Sequence, residues 1–234
     1  MSNGVAVILQ ARMDSTRLPG KALASVAGRS IVGWCLDRLS ASAIGTVVLA
    51  TTDRVVDDAL AQEARDRRVV VFRGPAEDVL RRMRLAADAC DAPIVVRATA
   101  DNPGVDIDAP GRVVRTLIER GCDYVVERGL PYGAAVEAMT IEALRRADGL
   151  ATTPSDREHV TPIMRRDAAH FESLEIEAPR SVRRPDLRVT VDTAEDLYRM
   201  RRILEACTRA GVMPTLATII DAADRLAADV RTVA

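Results

Sequence analysis

The sequence predicts an α/β fold built around a mixed, mainly parallel sheet. Two observations predict it. Strand-like and helix-like segments alternate along most of the 234 residues, the order in which βαβ units are laid down. The strand-like segments at 5–9 and 94–96 are continuous apolar runs rich in Val and Ile, and 46–50 is apolar after its leading Thr46. Such runs suit strands covered on both faces by helices, whereas half-exposed strands alternate.

Each element follows in order. The first strand, from Val5, breaks into a polar loop at Gln10. Residues 30–42 predict an amphipathic helix with Ile31, Trp34, Cys35 and Leu39 on one side. Residues 46–50 are the second strand. The helix at 53–68 opens with Asp and closes with Arg, as the helix dipole favours. A strand at 69–73 leads to a helix at 76–91, and a strand at 93–99 ends in the turn Ala100-Asp101-Asn102-Pro103-Gly104. A helix at 108–121 stops on glycine, and a strand at 122–127 runs into a loop through Pro131 and Gly133. Helices are expected at 141–150 and 156–167, and a strand at 171–178. A short strand at 188–191 feeds a long helix at 194–210, and an amphipathic helix at about 216–228 closes the chain. The loop-rich stretch 127–184 reads as an insertion that leaves the main sheet, within a single domain 1–234.

Composition narrows the function. Apolar residues make up 48% and supply a core, although aromatics are only 3%, so Leu, Val, Ile and Ala must fill it. The net charge of −1 gives no basic footprint for nucleic acid, where phosphate contacts dominate affinity. Cys35, Cys90, Cys122 and Cys207 are scattered with no C-x-x-C pair, which predicts reduced thiols and neither a zinc site nor a disulfide framework. Met1-Ser2-Asn3-Gly4 has no cationic segment, and the apolar run behind it is too short for a signal or a span. A cytoplasmic protein without membrane contact is expected. There is no G-x-G-x-x-G, and Ala22 follows Gly20-Lys21 where a Walker loop needs Ser or Thr.

The chemistry is expected after the first strand. Arg12, Arg17 and Lys21 crowd one loop at its carboxyl end, where open α/β sheets bind ligands. Three converging cations repel one another unless a polyanion neutralises them. A triphosphate does so, Arg contributing forked hydrogen bonds and Lys a compact point charge. Lys21 is the only lysine among 33 basic residues, which suggests that an ammonium is needed there; a solvated turn lysine is the plainer reading. Gln10-Ala11-Arg12-Met13-Asp14-Ser15-Thr16-Arg17-Leu18-Pro19-Gly20-Lys21 resembles the signature loop of the cytidylyltransferases that make CMP-activated acidic sugars. The likeness is to the spore-coat-polysaccharide and 3-deoxy-manno-octulosonate types. Many members carry Gly at the position of Asp14, whose carboxylate is expected to point away from the anion.

The resemblance extends from Val5 to about Ile203 through five motifs. It implies a three-layer nucleotide-diphospho-sugar-transferase-like (Rossmann-like) fold with a small inserted dimerisation arm, and a homodimer. The implied reaction is Mg²⁺-dependent transfer of CMP from CTP to a small acidic acceptor, releasing pyrophosphate. Lys21, Arg12 and Arg17 would be catalytic. Leu9, Gln10, Ala11, Ser15, Arg73, Gly74, Asp78, Thr99, Ala100 and Asp101 would join them in nucleotide binding. Asp101 has two readings on its own residues: turn chemistry in Asp-Asn-Pro-Gly, or a carboxylate at a strand end for the Mg²⁺ that a triphosphate brings. Asp192, in Val191-Asp192-Thr193, opens a helix that Thr193 and Asp196 can cap; the resemblance makes it the second metal ligand.

On the acceptor side, the resemblance points to Tyr132, Glu137, Arg157, Glu158 and His159. Ser155 to Glu158 also fits a capping box. Relatives usually have an acidic residue where Ala135 stands, which predicts a different acceptor. A nucleotidyltransferase using another NTP, one with a phosphate or phosphonate acceptor, and a non-catalytic nucleotide-binding protein are the alternative readings.

Overall fold

A computed structural model describes residues 4–208 and 212–233, with side chains described to residue 229. In chain order the elements are β1 Val5–Gln10, β2 Ser25–Val26, β3 Arg29–Ser30, α1 Ile31–Ala41, β4 Thr46–Thr52, α2 Asp58–Asp66, β5 Val70–Gly74, α3 Val79–Ala89 and β6 Ile94–Thr99. There follow α4 Ala109–Arg120, β7 Tyr124–Arg128, β8 Glu137–Thr140, α5 Ile141–Leu150, α6 Pro154–His159, α7 Pro162–Arg166, β9 Ser173–Glu177, α8 Ala194–Cys207 and α9 Leu216–Val233. Seven strands make one sheet in the order β5-β4-β1-β6-β8-β7-β9, parallel except for β8. The α/β class and the mainly parallel mixed sheet are thus present.

The three layers follow from the alternation of strand side chains. Val5, Val7 and Leu9 of β1 pack with α1, α2 and α4 on one face. Ala6 and Ile8 pack with α3, α5 and the buried residues of α7 on the other. A third cluster joins α8 and α9 to the β2–β3 hairpin through Val26, Trp34, Val189, Val191 and Met200. Capping side chains start the helices as their residue types suggest. Ser30 accepts from Gly33 N at 2.9 Å, and Thr193 with Asp196 forms the complete capping box of α8. The bend before β4 needs Gly45, because a Cβ there would lie 2.2 Å from the Val5 carbonyl oxygen. Gly45→Ala is expected to destabilise by about 1–3 kcal/mol, the usual cost of forced overpacking, measured by urea unfolding; an unchanged midpoint would contradict that contact.

Several expectations need correction. Segment 127–184 does not leave the sheet. Glu137, Ala138 and Met139 are buried and pair with both β6 and β7, while β9 extends the sheet beside β7. The segment also places Ile141, Leu144, Ile163 and Met164 in the core. The helix expected at 156–167 is two short helices, because Val160 lies at φ 70° and Pro162 opens the second. The cap of α6 is Thr153, which accepts from Asp156 N, and not Ser155: Pro154 occupies the first helical turn. Residues 188–191 form no strand beyond a single bridge from Arg188 to Tyr132. Residues 1–3 of the amino terminus and 209–210 of the expected 194–210 helix lie outside the described residues. Among those described, no helix is long and apolar enough to cross a membrane, and all four cysteines are free.

Candidate active site

A cavity of about 710 Å³ opens at the carboxyl ends of β1, β6 and β7, within the size range of small-molecule sites. The loop after β1 forms one wall. Gly20, at φ 72°, turns that loop into a helical turn at Lys21–Leu23, and this delivers Lys21 to the cavity floor. Its ammonium donates to the Val191 carbonyl at 2.7 Å, to Asp192 Oδ1 at 3.0 Å and to Asp101 Oδ2 at 3.3 Å. Two carboxylates from segments 91 positions apart in the chain therefore meet on one cation.

Backbone stitching explains the meeting. Val191 N donates to the Asp101 carbonyl at 2.8 Å, and Thr190 Oγ1 to the same oxygen at 3.2 Å. Thr99 Oγ1 donates to Asp101 Oδ1 at 2.7 Å while accepting from Asn102 Nδ2 at 2.7 Å. Asp192 also accepts from Arg17 at 2.9 Å and Arg188 at 2.5 Å. Asp192 N donates to Asp196 at 3.1 Å, so its carboxylate is left for the cations. Thr193 caps α8 at the same time, and the two readings of this segment coexist.

A second polar group lies across the cavity. Glu137, buried at the start of β8, accepts from Arg97, from the Tyr124 hydroxyl and from Thr161 at 2.8 Å. Burial alone would push its pKa up; Arg97 and the hydroxyl donors outweigh that and hold the carboxyl below its ordinary range. Arg12 crosses the mouth to Glu158 of α6 at 3.1 Å. Tyr132 is exposed on the rim, with the Arg188 guanidinium 4.8 Å from its ring centre.

Most of the candidates chosen from sequence line this cavity: Gln10, Ala11, Arg12, Ser15, Arg17, Lys21, Thr99, Ala100, Asp101, Tyr132, Glu137, Glu158, His159 and Asp192, with Ala135 beside them. Asp14 also lines it and is held by Arg54 at 2.5 Å. Five others are not brought to it. Leu9 is fully buried in the core under the floor. Arg73 is spent on the Thr52 and Arg54 carbonyls and Asp58. Gly74 faces Phe72. Asp78 caps α3, accepting from Arg81 N at 2.9 Å. Arg157 clamps Asp148 and the Ala151 carbonyl.

Other lining residues, among them Arg82, Arg97, Asn102 and Thr190, were not singled out by pattern. Arg97 had a signal: a charge in the otherwise apolar run of β6. Arg82 had one too, as a charge on the buried stripe Val79, Met83, Ala86 of α3.

The donor set fits a hard divalent cation. Two carboxylates already converge on one positive charge, and Mg²⁺ takes one or two carboxylates with phosphate and water oxygens. No cluster of three or more His, Cys, Asp or Glu able to hold a metal occurs among the described residues.

Comparison with known proteins shows the family and the fold. A cytidylyltransferase family profile matches residues 6–221. A spore coat polysaccharide biosynthesis protein of Bacillus subtilis is 31% identical over 91% of this chain and 90% of its own length. A 3-deoxy-manno-octulosonate cytidylyltransferase of Anaeromyxobacter dehalogenans is 30% identical over 62% of this chain and 60% of its own. The solved structure of a cytidylyltransferase from Leptospira borgpetersenii superposes with a TM-score of 0.85, at 29% identity, covering 96% of this chain and 95% of that one.

Proposed function

The chain belongs to the cytidylyltransferase family and is a nucleotidyltransferase, and from that premise we propose that it transfers CMP from CTP to a small acidic acceptor with the help of Mg²⁺. The observation that carries this reading is the single ammonium of Lys21 shared by Asp101 and Asp192 at the end of β1. It supports the reading because an ammonium suited to phosphate and two carboxylates suited to Mg²⁺ lie within one contact of each other. An acceptor oxygen forms a bond to the α-phosphorus, the bond from that phosphorus to the pyrophosphate oxygen breaks, and the acceptor proton passes to water.

Lys21, Arg17 and Arg12 hold the triphosphate and neutralise the charge that grows on the leaving group, the kind of preorganised electrostatics that dominates such reactions. Asp101 and Asp192 would hold the Mg²⁺, which supplies Lewis-acid charge stabilisation when bound. Gln10, Ala11, Ser15, Thr99 and Ala100 line the nucleotide's path. Glu137, Tyr132, Glu158 and His159 face the acceptor, and the small Ala135 leaves room where relatives carry an acid. A cytoplasmic homodimer completes the proposal.

Pyrophosphate release with CTP, UTP, ATP and GTP, each with a panel of acidic sugars, phosphates and phosphonates, tests this directly. CTP is expected to exceed the others by at least tenfold with one acceptor class, and EDTA to abolish the signal. Equal use of ATP, or full activity in EDTA, would overturn it.

A further inference from the structure

Asp57 stands directly before α2, where an aspartate ordinarily accepts from the first N–H groups of a helix. It is 1% exposed, and its side chain caps nothing. The other buried carboxylates each hold an arginine or a lysine. Among the described residues Asp57 holds neither: its Oδ1 accepts from Met13 N at 2.7 Å, and its Oδ2 from the Thr52 hydroxyl at the end of β4. It does not line the cavity.

The contact falls where the phosphate-binding loop leaves the sheet. Ala11 N still reaches the Ala50 carbonyl of β4 at 3.3 Å, and Met13 is then fixed on Asp57. From Met13 the loop holds itself in steps. Ser15 N donates to the Met13 carbonyl at 2.9 Å, Leu18 N to Ser15 Oγ at 3.3 Å, and Lys21 N to the Leu18 carbonyl at 3.1 Å. Arg12 and Arg17 hang from this series and Lys21 ends it. Arg54, three residues before Asp57, grips the same loop through Asp14 at 2.5 Å. A hydrogen bond to a buried carboxylate is stronger than one to a neutral acceptor. An N–H committed to it is not offered to an anion, so the loop meets phosphate with its side chains.

We infer that Asp57 is a positioning residue for the transferase reaction: by anchoring the Met13 amide from behind, it sets where Arg12, Arg17 and Lys21 stand around a triphosphate. The inference rests on the proposed function and deepens it.

Amide exchange followed by NMR on the wild type, with kinetics and calorimetry on Asp57→Ala and Asp57→Asn, tests it; thermal melts establish folding. In the free wild type the Met13 amide is expected to be protected from exchange before any anion is added, as a buried hydrogen bond requires. Fast exchange, or protection that arises only when inorganic tripolyphosphate is added, would give that amide to the anion and overturn the inference. In Asp57→Ala, kcat is expected to fall roughly 10²-fold, the cost of a displacement of about 1 Å in a catalytic group. Tripolyphosphate affinity falls with it by roughly tenfold or more, the weight of one hydrogen bond to a charged group, while the KM for the acceptor stays unchanged. Asp57→Asn keeps an acceptor for Met13 and a donor for Thr52, and most of both quantities returns. A lowered melting temperature with unchanged kinetics would make Asp57 structural only, and equal losses in the two variants would assign the effect to charge; either overturns the inference. Should Asp57→Ala not fold, the wild-type exchange and the Asp57→Asn titration decide. Failure of the wild type to use CTP, with the Met13 amide protected, would instead refute the proposed function.

Discussion

Lys21→Ala is expected to lower turnover by roughly 10²–10³-fold, the loss typical when one preorganised donor to developing charge is removed. The expectation rests on position. The side chain is 15% exposed, and its ammonium is anchored by the Val191 carbonyl and flanked by two carboxylates, so nothing mobile replaces it. The fold should survive, since Asp192 keeps Arg17 and Arg188 as partners. Lys21→Arg should rescue little, because a planar guanidinium does not fill the slot of a compact point charge. Steady-state kinetics with CTP, beside a thermal melt, measure this; a kcat within threefold of wild type at unchanged stability would remove Lys21 from the mechanism.

The largest effect on stability is expected at Trp34. Its ring is 1% exposed, its indole N–H donates to the Val26 carbonyl at 2.7 Å, and the Arg29 guanidinium lies 4.7 Å from its centre. It belongs to the cluster that also holds Val189 and Val191 and packs against Leu18. Both sides of the Lys21 contact therefore lean on it. Trp34→Ala should cost about 3–5 kcal/mol, as large core truncations do, followed by far-UV circular dichroism in urea. Trp34→Phe keeps most of the packing and loses the hydrogen bond, so it should cost less. A loss below 1 kcal/mol for the alanine variant would mean that the hairpin and α8 are held by other contacts.

These residues also show what could be read in advance. The buried strands β1, β4 and β6 were legible because unbroken apolar runs have few other uses. Lys21, Asp101 and Asp192 were legible as strand-end polar residues within motifs, although only the fold brings them together. β8 was not: four residues beginning with Glu and ending with Thr carry no pattern, and its partners were chosen by the gap it fills. The break at Val160 was hidden for a different reason. A β-branched residue at positive φ is disfavoured locally, and tertiary packing imposes it. Arg82 lines the cavity and Arg73 does not, because sequence spacing does not say which arginine of 70–82 turns inward. Charged residues on helices read by default as solvated.

The antiparallel strand β8 has a further effect on how the two halves of the molecule communicate. β6 and β7 both precede it in the chain, and neither touches the other in the sheet. Residues 137–140 are the seam: Glu137 sits opposite Arg97 on one side and Val126 on the other. Among the described residues, the strands β5-β4-β1-β6 and β7-β9 are joined in the sheet through this short stretch, which enters between two strands that precede it in the chain. Once closed, the seam is a ladder on both edges, so opening and closing of the site must come from the loops above a rigid floor.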